Sequence, residues 1–169
     1  QVARGDVSDE GALKLSFSHL SMLCQIKANS QGVFDSLART HAVNASAPDA
    51  RLLEREQRTR SWILSDWFPE EGRILLQKDV DANWFTGLES SDRDFLSGFA
   101  AGLRTIEWDE SAIQEHISAS IEVAEMTPRT AFPLLYGLLL GRQRGPRLAP
   151  LIRELDRDAV LSLISSING

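Results

Sequence analysis

At 169 residues the chain is long enough to bury a core as one domain or two small ones. Its 43% hydrophobic and 25% charged content is ordinary for a globular protein, and no apolar run approaches the ~18 residues of a membrane-spanning helix. A net charge of −6 argues against nucleic-acid binding over the whole surface, but not against a local basic patch.

The first residues, Gln1-Val-Ala-Arg-Gly-Asp-Val-Ser8, lack both an initiator Met and the apolar core of a signal peptide. They read as the interior of a longer protein, and residues 1–15 as a linker or arm. Ser16 is expected to cap a helix from Phe17 to about Ala28, and Ser30 a second one to about Thr40. The first of these holds Cys24, the only cysteine. A single cysteine excludes an internal disulfide and a cysteine-based structural zinc site. Its apolar setting predicts a buried, inert thiol, consistent with a reducing, cytoplasmic environment.

Asp49 opens the longest helical pattern, Ala50 to about Trp67, ended by Phe68-Pro69. Leu52, Leu53, Trp62, Ile63, Leu64 and Trp67 form its apolar set, and Arg51, Glu54, Arg55, Glu56, Arg58 and Arg60 its wet face. Residues 69–89 are irregular, with Arg73–Gln77 readable as an extended segment or a single turn. Ser90 or Ser91 then caps a helix through Phe95, Leu96, Phe99 and Leu103. Asp109 caps another, with Ile113, Ile117, Ile121 and Val123 inward.

Thr127-Pro128 opens an apolar helix that stops at Gly141; Pro146 begins the next, and Asp156 caps a last short one. No alternating period or solenoid repeat occurs. The expected fold is all-α, a helical bundle or cage of about seven to eight helices. Its division is drawn as 16–89 and 90–169.

No catalytic constellation emerges. His19, His41 and His116 form no metal-binding pair, no serine sits in a GxSxG elbow, and no Gly-rich phosphate loop is present. No catalytic residue, metal ligand or cofactor is assigned to this chain. Trp62, Trp67 and Trp108 are expected in the core, whereas Trp84-Phe85 divides evenly between core and base-stacking roles.

Arginines gather at 51–60 and at 129–157. The first group reads as a solvated helix face with i,i+4 partners such as Glu54–Arg58. The second includes Arg142, Arg144 and Arg147 in a short turn framed by Gly141, Gly145 and Pro146, where three like charges would repel one another without an anion.

Four segments together resemble the C-terminal helical domain of class I lysyl-tRNA synthetases. They are Phe17–Ile26, Arg51–Ile63, Ile113–Ile117 and Ala131–Leu148, and they stand in the order of that family. The most specific piece joins Phe132, Tyr136, Gly141, Gly145, Pro146 and Arg147. The sequence departs from the family at Ala149-Pro150, where a second glycine is common.

The resemblance implies an α-helical cage related to the anticodon-binding domain of the glutamyl-type class I enzymes. The implied partners are the anticodon stem-loop of lysine tRNA and a preceding catalytic domain, which would hold ATP; neither DNA nor a membrane is implied. The catalytic domain's HIGH-like and KMSKS-like signatures do not occur in this chain, so the implied role is anticodon binding without lysine activation. By analogy of role, Arg142, Arg144 and Arg147 would meet phosphates or base edges, Gln143 a base edge, and Trp84 and Phe85 would stack. Gln25 or Lys78 would add polar contacts, while Tyr136, Gly141, Gly145 and Pro146 shape the corner. The rival readings are an architectural role for the Gly-Pro-Arg turn, and a stand-alone protein-interaction scaffold that has lost RNA. An exposed apolar groove would favour the scaffold.

Overall fold

The computed structural model describes residues 14–167, so the expected arm over 1–15 lies almost wholly outside it. The described residues form nine α-helices and one 3-10 turn, with no strand among them. They divide into two compact units, the first ending at Ile74 and the second beginning at Leu75. Sequence alone draws that division at residue 89.

In the first unit, α1 (Phe17–Ile26) packs on α2 (Ser30–Thr40) and on α3 (Ala50–Leu64). Ser16 caps α1, its hydroxyl accepting from the His19 N–H at 3.1 Å. Asn29, one residue before the expected Ser30, caps α2 by accepting from the Gly32 N–H at 2.9 Å. Leu20, Leu23, Val33, Leu37 and Leu52 are wholly inside. Each such side chain is worth ~1.5–3 kcal/mol of burial.

The face that α3 buries differs from the one expected. Its inward stripe is Leu52, Glu56, Thr59 and Ile63, at i, i+4, i+7 and i+11. Trp62 lies one residue off that stripe, about 100° round the helix, and is 40% exposed. Trp67 follows the end of α3 and is 83% exposed. Neither is core. Phe68 is buried in their stead, with Trp62 edge-on to it at 6.0 Å.

Glu56, expected to be wet, is 1% exposed. The Ser30 hydroxyl lies 3.0 Å from both of its carboxylate oxygens, and Arg60 Nε donates to Oε1 at 2.8 Å. A buried carboxylate persists only with such partners. The Cys24 thiol is 4.0 Å from the same oxygen; burial first, then the Glu56 charge, push it up to about 11, while Arg60 opposes. The expectation of a buried cysteine holds. The outer face of α3 carries the expected Glu54–Arg58 pair at 2.6 Å.

A 3-10 turn (Glu70–Gly72) follows, and the unit's last residues are tied back to α1. Gln25 Nε2 donates to the Gly72 carbonyl at 3.0 Å, and Gln25 Oε1 accepts from the Ile74 N–H at 2.8 Å.

The second unit holds α4 (Ala82–Thr86), α5 (Ser90–Leu103), α6 (Glu110–Val123), α7 (Pro128–Leu140), α8 (Leu148–Glu154) and α9 (Arg157–Ser165). α5 packs on α6, α7 and α9; α6 also meets α8, and α7 meets α9. Asp109 and Asp156 cap as expected, accepting from Ala112 N–H and Ala159 N–H. Glu89 occupies the N-cap of α5 without a side-chain bond, in place of a serine. Pro146 stays in the turn, and α8 starts at Leu148.

Val123 is another correction. Ile113, Ile117 and Ile121 repeat every four residues and are buried, so a residue two beyond Ile121 falls on the opposite side of α6. Val123 is 85% exposed. Trp108 is half-buried, its Nε1 donating to the Leu155 carbonyl at 3.3 Å and Arg157 lying over its ring.

Candidate nucleic-acid interface

α7 and the turn after it are built around three glycines. Gly141 ends α7 in the left-handed region, at φ 69°, and its N–H donates to the Gly137 carbonyl at 3.2 Å. A glycine takes that conformation without the Cβ clash that other residues meet. Gly145 lies on the Tyr136 ring, where an added Cβ would fall 2.9 Å from Cε1. The Tyr136 hydroxyl donates to the Pro146 carbonyl, so the turn is pinned to α7 at both ends. Burial holds the Tyr136 phenol above its ordinary 10.0. Tyr136, Gly141, Gly145 and Pro146 thus shape the corner.

The other wall comes from residues 77–88. Gln77 donates from its backbone N–H to the Leu139 carbonyl at 2.9 Å, and from Nε2 to the carbonyls of Gly137 and Leu138 at 2.9 and 3.1 Å. These are carbonyls in the last turn of a helix, where intrahelical donors run out. Asp81 caps α4, its Oδ1 accepting from the Asn83 and Trp84 N–H groups. That cap delivers Trp84 onto α7 at Gly137, the one position in the run Leu134–Leu140 without a side chain to displace it.

Between these walls lies a cleft of about 420 Å³, within the range of ~300–1,000 Å³ common for small-ligand clefts. Trp84, Arg142 and Gln143 line it together with Gln77, Asp81 and Pro133. Three of the eight residues picked from sequence therefore share one opening. Arg144 and Arg147 are exposed on the same turn but do not line the cleft, and neither do Lys78, which is exposed, nor Phe85, which is half-buried. Gln25 belongs to the first unit, where both polar ends of its side chain are bonded to the backbone of residues 72–74.

Sequence reasoning missed Gln77, Asp81 and Gly137. Asp81 carried a readable signal, since an aspartate ahead of Ala-Asn-Trp-Phe is a helix cap. Gln77 carried none, because its partners lie some sixty residues away. The chemistry of the opening is mixed: an indole, a guanidinium, a carboxylate and two amides. Among the described residues no cluster of three or more His, Cys, Asp or Glu could hold a metal ion, and no helix is long and apolar enough to cross a membrane.

No family profile matches the chain. Among curated proteins it is similar to the lysine–tRNA ligase of Picrophilus torridus, 29% identical over 154 residues, which is 91% of this chain and 29% of that protein. The lysine–tRNA ligase of Methanocaldococcus jannaschii is 27% identical over 79% of the chain and 25% of its own length. That of Streptomyces coelicolor is 29% identical over 71% of the chain and 23% of its own length. The chain spans between about a fifth and a third of the relatives it matches and is similar, over most of its own length, to lysine–tRNA ligases.

Proposed function

We propose that this chain is a tRNA-binding module that recognises the anticodon region of lysine tRNA within a class I lysine–tRNA ligase. The observation that carries the proposal is the convergence of Trp84, Arg142 and Gln143 on one cleft behind a turn that exposes Arg144 and Arg147. The similarity to lysine–tRNA ligases supports it independently. Unpaired anticodon bases offer flat faces and open polar edges, and are read by aromatic or guanidinium planes beside hydrogen-bonding groups.

In this reading Arg144 and Arg147 hold phosphates and set the register, which carries no sequence information by itself. Arg142 and Gln143 meet the edge of a base entering the cleft, with the Asp81 carboxylate available to accept from an exocyclic amine. Trp84 supplies an apolar wall. Lysine activation, and the ATP it needs, belong to a catalytic domain that acts with this module in cytoplasmic aminoacylation.

The test is binding to a lysine-tRNA transcript and to the same transcript with its anticodon replaced, over a range of salt. Anticodon-dependent affinity that falls steeply with salt is expected, and the slope counts the phosphates engaged. Binding to neither transcript at low salt would sink the proposal. Equal binding to both would reduce the module to a positioning surface.

A further inference from the structure

The second unit carries another opening, with chemistry opposite to that of the arginine turn. It is a groove of about 540 Å³ between α5 and α6, lined by Phe95, Gly98, Phe99, Ala119 and Val123, with Asp94 on its edge. Two features mark it as a surface that something approaches closely. Val123 stands almost fully in solvent at the end of α6. Gly98 lies in the middle of α5 on the exposed side, and a Cβ built there meets no atom within 4 Å. A glycine in a helix interior is less stable than alanine, and among the described residues no neighbour requires this one. Its effect is to leave bare backbone on the groove floor, where another chain can lie close.

The charge around the groove is distinctive. Residues 90–125, from the start of α5 to two residues past α6, carry eight acidic side chains against two basic ones. Residues 126–169 carry six arginines against three acidic residues. Asp94 puts a carboxylate at the edge of an apolar, small-residue floor, within a segment of net negative charge. That combination disfavours a phosphate backbone and complements a cationic one. We infer that the α5–α6 groove is a docking site for a basic amphipathic helix of a protein partner, separate from the surface proposed for RNA. The partner's apolar side chains at i, i+3, i+4 and i+7 would enter over Gly98, with its lysines or arginines toward Asp94 and the acidic side chains of α6.

The test uses the chain itself and two fluorescent helical peptides of about 18 residues sharing one Leu/Ala face, one with a Lys/Arg polar face and the other with a Glu face. Anisotropy titrations are run at about 0.05 and about 0.5 M salt. The basic peptide is expected to bind, to weaken severalfold at the higher salt, and to lose at least about tenfold in affinity to Gly98→Leu, which fills the groove. Asp94→Asn, on the exposed surface, is a second variant whose fold is not at risk; it should lower affinity severalfold and flatten the salt dependence. The acidic peptide should not bind. Failure of the basic peptide to bind, equal binding of both peptides, or indifference to both variants would overturn the inference. So would loss of lysine-tRNA binding in Gly98→Leu with peptide binding intact, which would assign the groove to RNA. Loss of anticodon discrimination in turn variants alone bears on the RNA reading and leaves the groove unaffected.

Discussion

Trp84 lies so close to Gly137 that a single methyl group on residue 137 would come within 2.5 Å of the indole Cζ2. The contact closes one wall of the cleft, so the shape of the opening depends on the absence of a side chain in the middle of a leucine-rich helix. Gly137→Ala gains helix propensity of ~1 kcal/mol and still destabilises, because the ring must leave its site. A net loss of ~1–3 kcal/mol in urea unfolding is expected, together with a shifted Trp84 indole N–H resonance. An unchanged resonance and unchanged or raised stability would show that the indole does not rest there.

Two glycines one turn apart on α5 make a sharper pair. At Gly98 an added Cβ meets open space, whereas at Gly102 it would fall 2.2 Å from His116 Cε1. His116 is fixed in turn: its ring stacks on Phe99 at 5.1 Å, and its Nε2 is 2.8 Å from the Phe99 carbonyl oxygen. Gly98→Ala should therefore stabilise by ~0.5–1 kcal/mol, and Gly102→Ala should destabilise by ~1–3 kcal/mol. Thermal unfolding of the two single variants checks both signs. Shifts of the same sign would mean that the α5–α6 packing differs from that described.

The helices were legible wherever an apolar period met a cap, as at Ser16, Asp49, Asp109 and Asp156, each of which bonds the first turn of its helix. The corner at Gly141 was legible from its glycine and proline punctuation. What sequence could not supply was phase. Leu52 and Leu53, or Ile121 and Val123, are equally apolar, and only the tertiary partner decides which side turns inward. Glu56 makes the same point from the polar side, since its burial depends on Ser30, 26 residues earlier. The cleft was half legible: Trp84, Arg142 and Gln143 stood out, while Gln77 acquires its role only when α7 lies against it.

Arg144 and Arg147 are exposed on a turn whose shape is fixed by Tyr136, Gly141 and Gly145. Replacing either arginine with alanine should leave unfolding within ~0.5 kcal/mol of the parent. Each is expected to weaken lysine-tRNA binding severalfold at moderate salt and to reduce the salt slope by about 1. Arg142→Ala and Gln143→Ala, at the cleft, should instead narrow the gap between the native and replaced anticodons. Filter binding or anisotropy at several salt concentrations separates the two patterns; unchanged affinity in all four variants would remove the turn from the RNA surface.

Arg60 neutralises a carboxylate that has almost no access to water. Arg60→Met keeps much of the apolar stem and removes the guanidinium from Glu56, which leaves a buried charge with the Ser30 hydroxyl and the weakly donating Cys24 thiol beside it. Breaking one side of such a pair typically costs ~3–5 kcal/mol. Adding Glu56→Gln should recover part of that loss by removing the stranded charge. A single variant as stable as the parent, by urea unfolding near neutral pH, would show that the carboxylate is not held as described.

The same cluster predicts alkaline behaviour. The Cys24 thiol has its folded value pushed up to about 11 from 9.0, chiefly by burial. Unfolding frees the thiol to ionise at its ordinary value, so the unfolded chain releases a proton that the folded chain keeps. The stability tied to Cys24 is therefore complete below pH 9.0 and is lost as pH rises from there through about 11; one proton corresponds to at most about 1.4 kcal/mol per pH unit. Tyr136 is also raised, from 10.0, and adds a loss that starts higher. Urea midpoints measured across this range should fall less steeply just above pH 9.0 in Cys24→Ala than in the parent, and Tyr136→Phe should differ only nearer pH 10.0. In the folded chain the thiol should also react slowly with an electrophile at mildly alkaline pH, since the thiolate is the nucleophile. Prompt labelling under native conditions, or identical pH profiles for Cys24→Ala and the parent, would show that the thiol is not held inside.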